Sequence, residues 1–150
     1  VQTCALPIFS SHIYGMEFDA ERRLSAAVSV FSNITHYFSR REQLAAGERN
    51  ILNVASNTVR MGVDVDWRAL SSRLSARYVD GRQDQDFNLS GAPVVDYPDV
   101  TVVDLSATYR LHPQHAVTLT VDNLTDTFYY EKRGFPLQGA SFALKYRIGR

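Results

Sequence analysis

The chain of 150 residues has little of what several common protein classes need. Its single cysteine, Cys4, is too few to argue for a redox compartment. The formal net charge is +0, with 16 basic and 16 acidic residues, so there is no basic footprint for nucleic acid. No apolar run approaches the roughly 18 residues of a membrane-spanning helix. Any membrane role would have to be carried by β-strands.

Signatures of catalysis are also missing. The sequence offers no Ser-His-Asp arrangement that we can support, no phosphate-binding loop and no Cys/His cluster. We therefore expect a protein that is not an enzyme and that needs no cofactor and no resident metal.

What the sequence does have is strict alternation of apolar and polar residues. From Val103 to Leu111 the odd positions are apolar or aromatic and the even positions are polar, and the pattern returns in the last strand. Period-2 alternation is typical of strands with one apolar and one polar face. About seven such segments are predicted, near Ile13–Ala20, Leu24–Phe38, Asn57–Trp67, Arg73–Val79, Val103–Leu111, Val117–Asp122 and Ser141–Ile148.

The predicted connections alternate between short and long. The short ones are Glu21–Arg23, Ala69–Ser72 and His112–Gln114, and the long ones are Ser39–Asn50, Asp80–Asp99 and Thr125–Gln138. Outer-membrane barrels have short periplasmic turns and longer extracellular loops. The expected fold is all-β: an antiparallel up-and-down meander with every long loop on one rim.

Several segments resemble the C-terminal end of TonB-dependent outer-membrane receptors. The strongest is an Asn-Leu-x-Asp segment followed by aromatic residues and a Gly-aromatic-Pro loop before a last strand, which spans Asn123–Pro136. Weaker ones are the Arg-Gly-Val-Glu-like strand Val59–Val65 and the Tyr-x-Gly-x-Arg-like stretch Tyr78–Arg82. Two departures are Thr125, where the family usually has Phe, and the ending Ile148-Gly149-Arg150, where it usually has an aromatic residue.

This resemblance implies a larger protein. Such receptors have roughly 22 strands around a plugged lumen, so about seven strands would be the C-terminal third of a transmembrane β-barrel. It implies a Gram-negative outer-membrane location and energised import of a scarce nutrient, such as a ferric siderophore, haem or cobalamin. The implied partners are the plug domain of the same full-length chain, the TonB complex through a preceding part of it, outer-membrane lipid and lipopolysaccharide, and the metal-chelate nutrient.

The N-terminus is expected to be of different origin. The chain begins with Val1 rather than Met, and residues 1–8 resemble the translation of a sequencing-adapter oligonucleotide. We expect these residues, with Cys4, to be non-native and residues 9–150 to be the partial barrel domain. The upstream codons of an intact gene would test this.

Two groups of residues are candidates for function. Charged residues on the polar sides of the strands are expected to line the lumen: Arg60, Asp64, Asp66, Arg77, Asp104, Arg110, Asp122, Lys145 and Arg147. Four loop residues are expected to contact the nutrient: Arg82, Tyr130, Arg133 and Phe135. Binding residues concentrate on loops held by a rigid scaffold, and arginine suits anionic chelates.

Two motifs resemble metal-binding sites, but we do not interpret either as one. Asp84–Asn88 begins like a calcium loop, but Leu89 stands where glycine is needed and Val95 where glutamate is needed, so we expect a solvated loop. His112 and His115 flank a short turn with no Cys or carboxylate nearby, so a turn is favoured over a zinc site.

Two other functions remain open from the pattern alone. Alternation does not say which face is inside, so a soluble lipocalin-like β-barrel that binds a ligand is an alternative. A small porin-like or hydrolytic barrel is a third, although about seven strands is odd and bacterial single-chain barrels are even-numbered.

Overall fold

The alternating segments form one continuous antiparallel sheet. The structure, a computed structural model, describes residues 10–45, 47–132 and 134–149. The strands, in chain order, are β1 (Ser10–Arg23), β2 (Val28–Leu44), β3 (Gly47–Asn50), β4 (Asn57–Trp67), β5 (Leu70–Asp80), β6 (Gln83–Gln85), β7 (Val94–Asp96), β8 (Val100–His112), β9 (His115–Asp122), β10 (Tyr130–Lys132), β11 (Phe135–Pro136) and β12 (Ser141–Ile148).

Seven of these strands build the main sheet in the order β1-β2-β4-β5-β8-β9-β12, each antiparallel to the next. The short β3 pairs with the end of β2, and β6–β7 and β10–β11 form two small hairpins within the long loops. The prediction of an all-β antiparallel meander of about seven strands is confirmed. The described residues contain no helix long and apolar enough to cross a membrane.

The pairing register separates the residues into two faces. Residues opposite each other in an antiparallel pair lie on the same face of the sheet. Val63 pairs with both Val30 and Leu74, Leu74 pairs with Leu105, and Val121 pairs with Leu105 and Phe142. These residues form one apolar row across the sheet. It lies on a face that is open to the surroundings, since Leu144 and Phe142 are 73% and 83% exposed.

The opposite face carries polar side chains, many of them small. Asp64 pairs with Ser29 on one side and Arg73 on the other, and Thr118 pairs with Thr108 and Lys145. Where Phe31 interrupts this polar face, its ring lies over Gly62, its partner in β4. A Cβ at Gly62 would come within 2.6 Å of the Phe31 ring and 2.5 Å of the Leu74 carbonyl oxygen. The glycine is needed for this close approach.

Two of the predicted short connections are wrong in their bounds: Glu21–Arg23 are the last residues of β1, and of Ala69–Ser72 only Ala69 lies outside a strand. The short turns are residues 24–27, 68–69 and 113–114. We predicted that Leu24 begins the second strand, but the structure places it in the turn, where the Arg23 side chain donates hydrogen bonds to the carbonyl oxygens of Ser25 and Ala26 at 3.1 and 2.9 Å. Leu24 lies four positions before Val28, where β2 begins, so it extends the alternation without extending the strand.

The long connections lie at the opposite end of the sheet. They are residues 51–56, 81–99 and 123–140, which we call the first, second and third long loops. Most of the predicted first loop, Ser39–Asn50, is instead strand, because β2 continues to Leu44 and pairs with β3. The second long loop holds the buried Tyr97, and buried Val100 begins the strand after it, so several of the buried residues lie at this rim.

Candidate functional site

The nine charged residues predicted to line a lumen lie on the polar face. Register places Arg60 opposite Arg77, Asp66 opposite Ser71, and Asp104 opposite Ser75. Nearer the last strand, Arg110 and Arg147 each pair with Ala116, Lys145 pairs with Thr118, and Asp122 pairs with Ser141. Asp64 completes the set opposite Arg73. The nine side chains therefore share one face of the sheet, opposite to the apolar face.

Arg73 is a polar-face residue that was left out of the predicted lumen-lining set. Its Nε and Nη2 donate to the two carboxylate oxygens of Asp64 at 2.6 and 2.9 Å, a bidentate pair across β4 and β5. The strand alternation contained the signal, since Arg73 has the same parity as Arg77. Two acidic residues of β1, Glu17 and Asp19, pair with Thr35 and Asn33 on this face and were also left out of the predicted set.

Arg77 connects the polar face to the third long loop. Its guanidinium donates to the hydroxyl of Tyr129 at 3.4 Å, lies 5.8 Å from the centre of that ring, and is 4.0 Å from Glu131. Its neighbour Arg60 sits directly opposite on β4. Two adjacent arginines on this face repel each other, and the acidic side chain from the loop offsets part of that repulsion.

The Asn-Leu-x-Asp segment shapes the start of the third long loop. Asn123 has a left-handed backbone (φ 52°) and is buried. Its side-chain oxygen accepts from the Thr127 amide at 3.0 Å, and its side-chain nitrogen donates to the Thr127 carbonyl at 2.9 Å. Asp126, also left-handed, accepts from the Ala140 amide at 2.8 Å. Asparagine and aspartate tolerate this conformation and bond to nearby backbone, so the segment closes the base of the loop.

The three long loops meet at a buried carboxylate, Asp84, which is 1% exposed. Asn53 of the first loop donates to its Oδ1 at 3.1 Å, and the Tyr97 hydroxyl donates to its Oδ2 at 2.8 Å. Lys132 of the third loop places its Nζ 3.6 Å from Oδ1. We call Asn53, Asp84, Tyr97 and Lys132 the three-loop junction. A buried carboxylate is stable only when such donors satisfy it.

Asp84 and Asp86 contradict one prediction. They were expected in a solvated loop, yet both are buried, with Asp86 3% exposed and accepting from the Asn88 amide at 3.0 Å. Among the residues that the structure describes, no group of three or more His, Cys, Asp or Glu side chains is placed to hold a metal ion. His112 and His115 flank a short turn, as predicted, and His115 Nδ1 lies 2.6 Å from the Tyr146 hydroxyl oxygen.

The four predicted nutrient contacts differ in their surroundings. Arg82 donates to the Tyr130 carbonyl oxygen, and its guanidinium carbon lies 4.3 Å from the centre of the Tyr97 ring, so it packs against the three-loop junction. Within the described ranges the Arg82 Nε is buried and has no hydrogen-bond partner. Phe135 is 70% exposed at the loop surface. Arg133 lies outside the described residues.

Arg40 is a second arginine, besides Arg82, that contacts a long loop: it anchors the first one. Arg40, buried at the far end of β2, donates to the Val54 carbonyl and to the Ser56 hydroxyl, the latter at 2.6 Å. Burial lowers the pKa of Arg40 from its ordinary value, and the charge of Asp80 opposes that shift. The group stays protonated at neutral pH because an arginine pKa starts so high.

Comparison with known proteins identifies the family. Residues 8–124 match the family described as TonB dependent receptor-like, beta-barrel. The chain belongs to this family. The match ends at Leu124, within the Asn-Leu-x-Asp segment. A search of curated protein sequences found no match.

Solved structures of similar fold cover 89–92% of the chain. FpvA of Pseudomonas aeruginosa with heterologous ferric pyoverdines superposes with a TM-score of 0.73 at 17% identity, over 89% of this chain and 19% of that one. The copper transporter OprC gives 0.71 at 20% identity, over 92% and 24%. FyuA of Yersinia pestis, a ferric yersiniabactin uptake receptor, gives 0.62 at 17%, over 92% and 23%. The chain spans about a fifth to a quarter of these proteins.

Proposed function

We propose that this chain forms the C-terminal third of the wall of a TonB-dependent receptor that imports a scarce nutrient across the outer membrane. One observation supports this more than any other. The register puts a mainly apolar face on one side of the sheet, a charged face on the other, and all three long loops at one end. A receptor barrel needs these three features together.

The apolar face would contact lipid and the polar face would line a wet lumen. β4 and β5 have 11 residues each, close to the 9–11 that a tilted strand needs to cross a bilayer. Trp67, Leu70, Tyr109, Val117 and Tyr146 form one row on the apolar face towards the short turns. Aromatic side chains in this place favour the membrane–water interface.

In this arrangement the long loops face outward and the short turns face the periplasm. The proposed partners follow from it: a plug domain of the same full-length chain against the polar face, the TonB complex through that preceding part, and outer-membrane lipid and lipopolysaccharide around the apolar face. The family match leaves the soluble lipocalin-like alternative without support. The matched family and its structural neighbours are receptors and transporters rather than enzymes.

The nutrient would be a metal chelate or a similar small compound, such as a ferric siderophore, haem or cobalamin. FpvA is described with ferric pyoverdines, FyuA with ferric yersiniabactin and OprC with copper, which supports a metal-containing cargo. The proposed contacts are Arg82, Tyr130, Arg133 and Phe135. Of the three that the structure describes, Phe135 is the most open, so it is the best placed to meet an incoming ligand without rearrangement.

Uptake measurements test this proposal. Deleting the gene should abolish uptake of one compound from a panel of ferric siderophores, haem, cobalamin and copper chelates, and the intact gene should restore it. Phe135→Ala should weaken that uptake, whereas Phe87→Ala, equally exposed in the second long loop, is the matched control. If the deletion strain takes up the whole panel normally, and the protein fractionates with the soluble extract, the proposal is wrong.

A further inference from the structure

Each of the three long loops contributes a side chain to the three-loop junction. Asn53 comes from the first loop, Asp84 and Tyr97 from the second, and Lys132 from the third. In sequence these residues are far apart: 31 positions separate Asn53 from Asp84, and 13 separate Asp84 from Tyr97. The acceptor they share is the most deeply buried carboxylate among the described residues.

The junction is reinforced by backbone hydrogen bonds between the same loops. The Asn53 amide donates to the Gln83 carbonyl at 2.7 Å, which joins the first loop to β6. The Tyr97 amide donates to the Arg82 carbonyl at 2.8 Å, which closes the second loop on itself. The Arg82 guanidinium in turn donates to the Tyr130 carbonyl of the third loop. Each loop is therefore held to Asp84 or to its immediate neighbours.

A buried charge couples the groups that solvate it. Removing one donor leaves the carboxylate less well satisfied, and the cost of an unsatisfied buried group exceeds the worth of the lost bond. The remaining donors, or water, must then move to compensate. The position of each loop thus depends on contacts made by the other two. Asn53 and Lys132, for example, belong to different loops and are linked through the Oδ1 atom of Asp84, which both contact.

We propose that Asp84 is a positioning residue that fixes the three long loops relative to one another, so that they move as one body. A ligand that contacts one loop then changes the exposure of the other two. The inference rests on the proposed function only in assuming that these loops face the ligand. The coupling itself is a property of the protein without ligand and without transport.

Amide hydrogen exchange on the receptor expressed from its complete gene, in lipid nanodiscs, tests the coupling. Lys132→Met removes the charge but keeps the side-chain length. It should speed exchange in residues 51–56 of the first loop about two- to fivefold, as expected for a half-exposed ion pair. Lys132→Arg should restore the slow exchange. Glu131→Gln, on the same strand but 4.0 Å from Arg77 instead, is the matched control and should leave residues 51–56 unchanged.

Tyr97→Phe is the second variant, since it removes a buried donor while keeping the ring. It should speed exchange in both residues 51–56 and residues 130–132, by about tenfold, because a buried hydrogen bond to a charged group is lost. The proposal is overturned if Lys132→Met affects only residues 130–132, if it affects neither segment, or if Glu131→Gln matches it. A receptor that imports none of the panel compounds would still show this exchange pattern, so failure here and failure of the proposed function are distinguishable.

Discussion

Neighbouring residues of β9 face opposite environments, which gives the sharpest test at the scale of single residues. Leu119 pairs with Ala107 and Leu144 on the apolar face, and Thr120 pairs with Ser106 and Ala143 on the polar face. Leu119→Arg should cost about 2–4 kcal/mol of folding free energy if the site lies near the bilayer midplane. Chemical unfolding in lipid vesicles measures this cost.

Thr120→Arg is the matched control for that change. On a hydrated polar face an added arginine should shift the free energy of unfolding by no more than about 0.5 kcal/mol. Equal tolerance of arginine at both positions would reverse the assignment of the two faces.

A second residue-scale prediction concerns Gly62. Its missing side chain leaves room for the Phe31 ring and for the Leu74 carbonyl, which belongs to the backbone and moves only with the strand. Gly62→Ala should therefore destabilise the sheet by about 1–3 kcal/mol, the usual cost of overpacking. Gly149→Ala, where the nearest atom to an added Cβ is 3.8 Å away, should be close to neutral in the same unfolding assay. A neutral Gly62→Ala would show that Phe31 does not pack as described.

The burial of Asp84 could not be predicted from the sequence. Its local context, Asp84-Gln85-Asp86, is polar and looks solvated. Burial depends on Asn53 and Lys132, which reach it from other loops, and no local pattern encodes that meeting. By contrast, the common face of Asp64 and Arg77 follows from parity within strands and could be predicted, and Arg73 could have been found in the same way.

At the scale of elements, alternation located strands better than it located their ends. β4 has the predicted bounds, Asn57–Trp67, because apolar and charged residues alternate through its whole length. β2 was misplaced at both ends. Its start is set by the Arg23 hydrogen bonds in the turn, and its continuation to Leu44 is set by pairing with β3. At its far end β2 gains polar residues that break the alternation, so there the pattern ends before the strand does.

The placement of long and short connections predicts which end of the sheet is outside the cell. A cysteine replacing Ser90, in the second long loop, should react with a membrane-impermeant maleimide on intact cells. A cysteine replacing Gln114, in the short turn after β8, should react only after the outer membrane is permeabilised. Both positions are exposed, so accessibility of the side chain itself is matched. Labelling of Gln114→Cys but not of Ser90→Cys on intact cells would contradict the orientation.

At the scale of the whole molecule, the main sheet is a single layer with two chemically opposite faces. A soluble domain buries an apolar sheet face against a second layer. Here the apolar face is open, with exposures that run from 38% at Leu119 through 51% at Met61 to 83% at Phe142. Lipid would supply the missing layer, and the remaining strands of the barrel would pair with the outer strands β1 and β12. Both inferences depend on which environment each face meets.

The most direct measurement of that dependence uses adjacent positions in β12. In a background where Cys4 is replaced by serine, nitroxide spin labels are attached at Leu144→Cys and at Lys145→Cys in the membrane-embedded receptor. A label that collides mainly with oxygen lies in hydrocarbon, and a label that collides mainly with a polar nickel complex lies in water. The account predicts that the label at 144 collides mainly with oxygen and the label at 145 mainly with nickel. A label at 144 in water, or a label at 145 in hydrocarbon, would contradict it.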